Sequence, residues 1–270
     1  MTATDKLFAG AIPRIYESHL VPLIFEPYAQ DVVPRLRKRG LKRVLEIAAG
    51  TGVVTRAMAS QLPAAVEIVA TDLNPGMLEE AARRGTARPV TWRQADALAL
   101  PFGDREFDAI VCQFGAMFFP DKVKAFGEAR RVLKPGGVLV FSVWDRLEDN
   151  EFAATVTSAL ADFFPQDPPR FLARTPHGYC DHATIHRDVA AAGFARPATI
   201  DTVTARSRAS SPDVPAIAYC QGTPLRSEID ARDPAALARA TAVAAQQIGK
   251  RFGTATVEGR IQALVVTVEA

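Results

Sequence analysis

The residues that could do chemistry in this sequence are a carboxylate and a short glycine turn. In "RVLEIAAGTGVVTRAMA", residues 43–59, Glu46 closes an apolar run and Gly50-Thr51-Gly52 follows shortly after. An apolar run, a glycine turn and an amphipathic continuation read as strand, tight turn and helix, a junction at which many proteins hold a nucleotide. A dinucleotide fingerprint asks for a third glycine and seats a pyrophosphate on the helix N-terminus. Here Val53, Val54 and Thr55 follow instead. Glu46 would repel a pyrophosphate and favour an ammonium or a sulfonium. No Lys-Ser/Thr pair follows the glycines, so this is not an ATP phosphate loop. The pattern asks for a cofactor without phosphates that carries positive charge near the glycines.

Further carboxylates fall at spaced positions downstream. Asp72 ends the apolar run of "IVATDLNPGML", 26 residues after Glu46, and Asp96 lies in "RQADALALPF". Standing alone, either aspartate reads equally as a helix or turn cap. Gln113 and Phe114 close the apolar run of "FDAIVCQFGAMFFPD", at the carboxyl end of a strand, where open α/β sheets place their ligands.

The elements that must position these groups alternate. Strands are expected at 43–48, 67–72, 90–96, 107–114 and 137–144, with helices near 52–61, 75–85 and 121–133. Asn74 and Pro75 mark a helix start, with Asn74 as the cap, and "LKPGG" at 133–137 ends a helix and turns into the fifth strand. Strand–helix alternation implies a parallel sheet with helices on both faces. After Trp144 the pattern changes: a helix at 149–164, a Pro-rich loop "FPQDPPRF", a helix ending at Gly193, a strand at 198–207, two helical stretches over about 212–252 and a last strand in "RIQALVVTVEA".

Composition narrows the classes. At 270 residues, 48% hydrophobic and 23% charged, the chain can bury a full core. Its net charge of +2 gives no field that points to nucleic acid or acidic lipid. The densest basic run, Arg35, Arg37, Lys38, Arg39, Lys42 and Arg43, is expected as a helix end whose cations suit the negative pole of the helix. Cys112, Cys180 and Cys220 are odd in number and widely spaced, with neither a disulfide framework nor zinc spacing, which leads to the expectation of a reduced cytoplasm. "MTATDKLFAG" lacks a signal-peptide core, and "LVPLIF" is too short to span a bilayer. His182 and His186 are four apart on an expected helix, without a carboxylate motif to complete a metal site.

Taken together, the four motifs resemble those of the class I SAM-dependent methyltransferases, in the broad methyltransferase type 11 group that includes the ubiquinone/menaquinone C-methylases. The resemblance is clearest over about 43–145. "VLEIAAGTG" is similar to the family's first motif and departs from it at Ala48, where a glycine is expected; the methyl group is tolerable there if the residue keeps φ negative. The family implies that Glu46, Ala48, Gly50 and Gly52 hold S-adenosylmethionine (SAM), that Asp72 accepts both ribose hydroxyls, and that Asp96 and the backbone at Ala97 meet the adenine. Leu73 and Met77 would flank the ring, and Gln113 and Phe114 complete the site. "CQFG" is not the Asn/Asp-Pro-Pro-aromatic run of amino-directed DNA and protein-glutamine methyltransferases, so a small molecule is the expected acceptor.

The implied fold is a Rossmann-like, seven-stranded, mostly parallel sheet with an antiparallel last strand. It is expected as one domain over 1–270: an N-terminal lid (1–40), a SAM-binding core (41–147), substrate-side additions that include the sixth strand (148–255) and the last strand (256–270). In the family the leading segment folds over the cofactor, which makes Tyr16 a cofactor contact. His19 is a candidate for the acceptor or for a general base, and the two share a face if 12–20 is helical. Met117, Phe118, His177 and Tyr179 are the other acceptor candidates. Transfer from a sulfonium needs orientation and dehydration more than a base. Expected cofactors are SAM and its product S-adenosylhomocysteine (SAH), with no metal. Expected partners are a small-molecule acceptor, with no nucleic acid and no membrane span, in a cytoplasmic monomer or homodimer. Alternatives are a regulatory SAM-binding protein, other SAM chemistry such as decarboxylation or carboxymethyl transfer, and a nicotinamide oxidoreductase.

Overall fold

Runs dense in Val, Ile and Ala become neighbouring strands because such side chains pack well on a pleated surface that is covered on both faces. The computed structural model describes residues 10–37 and 40–270. Strands β1 (Arg43–Ile47), β2 (Glu67–Asp72), β3 (Thr91–Gln94), β4 (Phe107–Gln113) and β5 (Leu133–Trp144) pair in parallel. With β6 (Thr199–Ala209) and β7 (Val257–Glu269) they form one sheet in the order β3-β2-β1-β4-β5-β7-β6. β7 is the antiparallel strand. At one end of β5 the Gly136 N–H meets the Ala270 carbonyl, and at the other the Asp145 N–H meets that of Gln262.

Contacts divide the chain into two compact units. The first comprises Met1–Phe25, Trp144–Gly178 and Thr204–Ala263; the second comprises Glu26–Val143, Tyr179–Val203 and Leu264–Ala270.

The second unit holds most of the sheet, together with α2 (Glu26–Arg37), α3 (Val53–Gln61), α4 (Pro75–Arg84), α5 (Lys122–Val132) and α8 (His182–Ala191). On one sheet face Val44, Ile68, Ala109, Val111, Val138, Val140 and Val265 pack under Ala29, Val32, Val33 and Leu36 of α2 and under Val54, Ala57 and Met58 of α3. Tyr28 from α2 is fully buried, and its hydroxyl donates to the Val203 carbonyl.

The first unit is mainly helical, with α1 (Ile12–Ile15), a π-helical stretch (Tyr16–Phe25), α6 (Glu151–Phe163), α7 (Phe171–Arg174), α9 (Asp213–Gln221), α10 (Leu225–Arg232) and α11 (Leu237–Phe252). Glu228 ties α7 to α10 by accepting from the Arg170 N–H at 2.7 Å and from the Arg174 guanidinium at 2.7 Å. Asn150 links its turn to β7: its amide donates to the Gln262 carbonyl and accepts from the Gln262 N–H.

Several expectations are corrected. The region 212–252 holds three helices where two were expected, because Gly222-Thr223-Pro224 and Asp233-Pro234 each interrupt the helical ladder. "LKPGG" is already strand: Leu133 pairs with Phe107, and the register then shifts before Ala109. Gly136 absorbs that irregularity at φ +74°. Asn74 stands at the N-cap without a side-chain cap bond, since its backbone N–H and its amide both donate to Asp72. The basic run is not one helix end. Arg35 lies within α2 and pairs with Asp31 and Asp201, while Arg43 belongs to β1 and pairs with Glu67 and Glu106. Lys38 and Arg39 of that run, and most of the N-terminal "MTATDKLFAG", lie outside the described residues. Among the described residues no helix is long and apolar enough to cross a membrane.

Candidate cofactor-binding site

Alternation along a strand sends every second side chain to the same face. On the face covered by α2 and α3, that rule places Glu46 after Val44, Asp72 after Ile68 and Ala70, Gln113 after Ala109 and Val111, and Ser142 after Val138 and Val140. In the order β2-β1-β4-β5, an apolar face therefore ends in a row of four polar residues at the carboxyl edge. All four are buried: Glu46 is 1% exposed, Asp72 6%, Gln113 9% and Ser142 0%.

The glycine turn is stitched to this row. Asp72 Oδ2 accepts from the Gly50 N–H at 2.8 Å, and Oδ1 accepts from the Asn74 N–H at 2.8 Å. One carboxylate thus ties the end of β2 both to the turn after β1 and to the start of α4. The turn itself needs left-handed backbone, with Gly50 at φ +57° and Gly52 at φ +83°. A Cβ on Gly52 would also lie 2.8 Å from the Trp92 ring, so only glycine fits.

Ala48 overturns one expectation: its φ is +55°, not negative. The chain must turn there whatever the residue, and left-handed backbone costs a non-glycine residue about 1–2 kcal/mol. Gly115 makes room for the methyl group, since a Cβ on Gly115 would stand 2.4 Å from that of Ala48. Phe114, at the end of the neighbouring strand, is left-handed as well, at φ +54°. Its N–H donates to the Ser142 carbonyl at 3.0 Å, and its ring packs edge-on against Tyr28 with centroids 5.2 Å apart. Two strained non-glycine residues at adjacent strand ends mark a place that the surrounding packing holds under constraint.

Burial sets the electrostatics. Desolvation pushes the Glu46 carboxyl up to about 8, opposed by the hydrogen bond from the Thr55 hydroxyl and by the nearby Arg56, and reinforced by Asp72. Desolvation also raises Asp72, against its hydrogen bonds from Asn74 and Gly50. Beside them the Thr51 hydroxyl is buried with no hydrogen-bond partner. A ligand carrying positive charge and hydrogen-bonding groups would satisfy the two acids and that hydroxyl together. Among the described residues there is no group of three or more His, Cys, Asp or Glu able to hold a metal.

The other expected residues are distributed as follows. Leu73 follows Asp72 and is 44% exposed, a large apolar side chain left uncovered at the same edge. Met77 is buried in α4, and Ala97 is buried beside Asp96. Asp96 is exposed, and Oδ1 accepts from the Leu98 N–H at 2.9 Å, as a turn-capping aspartate does. Met117 is buried and Phe118 half-buried in a 3-10 turn after β4. Tyr179 is engaged in packing: its hydroxyl donates to Asp188 at 3.0 Å and its ring lies under the Lys122 ammonium.

Tyr16, His19 and His177 belong to the first unit. Tyr16 stacks on Phe25 at 5.0 Å, and His19 Nδ1 shares a 2.8 Å hydrogen bond with the Ser18 hydroxyl. A π-helix winds through fewer degrees per residue than an α-helix, so three residues stop well short of a full turn and the shared face expected for Tyr16 and His19 is lost. His177 is buried near Trp144 with Nδ1 at 2.7 Å from the Asp145 carbonyl, and desolvation pushes it down to about 4, so it is neutral at physiological pH.

Thr55, Gly115 and Ser142 were not singled out from the sequence. For Ser142 a signal existed, a lone hydroxyl in the otherwise apolar "VLVFSVW". For Gly115 there was none, because its role is to accommodate Ala48 across the sheet edge.

The profile of the family described as "Methyltransferase domain" matches residues 45–141. A demethylmenaquinone methyltransferase of Thermus thermophilus is 48% identical over 101 residues, 37% of this chain and 46% of that relative, so the match spans under half of its length. A ubiquinone/menaquinone biosynthesis C-methyltransferase of Saccharophagus degradans is 31% identical over 205 residues, 71% of this chain and 78% of the relative. Among solved structures, the YcgJ protein of Bacillus subtilis shares the fold with a TM-score of 0.57 at 18% identity, covering 90% of this chain and 98% of that one.

Two outcomes follow from this geometry. The folded pKa of Glu46 lies above its ordinary value, so the carboxyl favours the fold least at high pH, where it must ionise while buried. Glu46→Gln should therefore raise the melting temperature of the ligand-free protein. The gain should grow by about 1 kcal/mol per pH unit between pH 6 and 8; a pH-independent difference in thermal scans would contradict this. Gly115→Ala should cost about 1–3 kcal/mol by overpacking against Ala48. A Cβ on Gly115 would also stand 2.8 Å from Cys112 Sγ, so in chemical denaturation adding Ala48→Gly should recover part of that loss, and strictly additive losses would show that the two positions are uncoupled.

Proposed function

The chain belongs to the SAM-dependent methyltransferase family that includes the ubiquinone/menaquinone biosynthesis C-methyltransferases, and from that premise we propose that it methylates a small, partly apolar acceptor with a quinol-type ring. The observation that carries the cofactor half of this reading is the pair of buried acids, Glu46 and Asp72, tied to a glycine turn that has no phosphate-binding lysine. A cofactor with a cationic amino-acid end and a neutral ribose suits that pair, whereas a pyrophosphate does not. Glu46 would face the positive end, Asp72 the ribose hydroxyls, and Leu73 would lend its exposed side chain to the base. The acceptor half draws its support from the relatives, two of which carry quinone methylation in their names.

When bound, SAM supplies an electrophilic methyl on a good, neutral leaving group. What remains for this chain's residues is to bind, orient and exclude water. The left-handed backbone at Ala48 and Phe114 suits that task, since it sets the direction of the strand ends at which the two reactants would meet. A reduced, electron-rich ring carbon gains the methyl and loses its proton to solvent or to a basic group, so no triad is required.

Calorimetry should show SAH binding with little affinity for NAD, and tighter binding of NAD would sink the cofactor assignment. Asp72→Asn should weaken SAH by about 1.5–3 kcal/mol, with a smaller loss of stability because its contacts with the Gly50 and Asn74 N–H groups are disturbed. Unchanged SAH affinity would make Asp72 purely structural. Turnover is tested with SAM and chemically reduced demethylmenaquinol, scored by a mass gain of one methyl group; no gain would remove the quinol proposal while leaving SAH binding intact. His19→Ala should change turnover less than twofold, because transfer from a sulfonium draws on positioning rather than on a base. A large loss in steady-state rate would instead make His19 a catalytic group.

A further inference from the structure

Glu46 receives a hydrogen bond from the hydroxyl of Thr55, a fully buried residue on the first turn of α3, nine positions further along the chain. Threonine on a helix commonly turns its hydroxyl back to a backbone carbonyl of the preceding turn. Here the hydroxyl crosses to the end of β1 instead and engages Oε2 of the acid. A hydroxyl can donate or accept, but it must donate once the carboxyl is ionised. Fixing one carboxyl oxygen fixes the direction of the other.

We propose that Thr55 is a positioning residue: it aims the Glu46 carboxyl at the cationic end of the cofactor and lets cofactor binding expel a proton at neutral pH. This rests on the reading of the glycine turn as a SAM site. The groups that face Glu46 set the balance. Arg56 on α3 favours the ionised form, while Asp72 on β2 opposes it. Cys112 on β4 feels the same field and is pushed up to about 12 by burial, so it stays neutral throughout. Below about pH 8 the ligand-free carboxyl is protonated. A cationic ligand stabilises the ionised form, so binding releases the proton and affinity rises with pH up to that value. Removing the Thr55 hydroxyl withdraws a hydrogen bond that favours ionisation and moves the midpoint upward.

The test is calorimetry of the full chain with SAH between pH 6 and 8, in two buffers of different ionisation enthalpy. The dissociation constant should fall with rising pH by up to about tenfold per unit, with a proton released. Thr55→Val, which keeps shape but not the hydroxyl, should weaken SAH at pH 7 by about tenfold and shift the profile to higher pH; Thr55→Ser should restore both. 5′-Methylthioadenosine has the base and ribose but no ammonium, so it reports Asp72 without Glu46. Its affinity should be equal in wild type and Thr55→Val. Superimposable SAH profiles for wild type and Thr55→Val, or an equal loss of methylthioadenosine, would reduce Thr55 to packing and overturn the proposal. Should Thr55→Val not fold, Thr55→Ala serves the same comparison. Failure of the wild type to bind SAH at any pH would remove the SAM reading itself, a result distinct from a flat pH profile.

Discussion

A sheet covered on both faces has no water with which to solvate a charge, yet one face of this sheet ends in two carboxylates. Burying an ionised acid without a partner costs more than the net stability of most domains, so such a group either neutralises or is compensated. Asp72 is compensated by backbone N–H groups of the turn and of the α4 start. Glu46 has a hydroxyl and stays largely protonated. The local design follows from that difference. The turn is shaped so that its Gly50 N–H can serve Asp72, and α3 begins where its first turn can serve Glu46.

The same constraint explains the backbone. For the Gly50 N–H to reach Asp72, the chain must reverse immediately after β1, and left-handed residues supply the reversal. Ala48 accepts that conformation because Gly115 lacks a side chain, and the following α3 is locked by Trp92 against Gly52. Polar satisfaction, backbone strain and packing are thus one problem solved at four neighbouring strand ends, and a change at any of them is felt by the others.

The parts of this arrangement that were legible in the sequence are those governed by local pattern. β2 falls on "EIVATD" residue for residue, and α3, α4 and α5 lie within a residue or two of their expected limits, because apolar periodicity and Pro75 act over short range. The acids were legible because a carboxylate at the end of an apolar run has few structural reasons to be there. What was not legible is long-range. The backbone of Ala48 depends on a glycine 67 residues away, the Asn74 amide was drawn to Asp72 rather than to its own helix, and Leu133 entered the sheet because Phe107 offered it a partner. Thr55 and Ser142 escaped because a single hydroxyl in an apolar stretch is informative only once its neighbours across the sheet are known. The histidines and Tyr179 were attractive by residue type, but type does not reveal prior engagement: Tyr179 is held by Asp188 and His177 by the Asp145 carbonyl.

The charge state of Glu46 is where this account is most exposed. Carbon-13 NMR of the protein labelled at glutamate side-chain carboxyls, with Glu46→Gln to assign the resonance, measures it directly. The ligand-free protein should show this one carboxyl titrating near pH 8, and saturation with SAH should leave it ionised at pH 7. A Glu46 carboxyl that titrates at the ordinary glutamate value in both states would contradict the account.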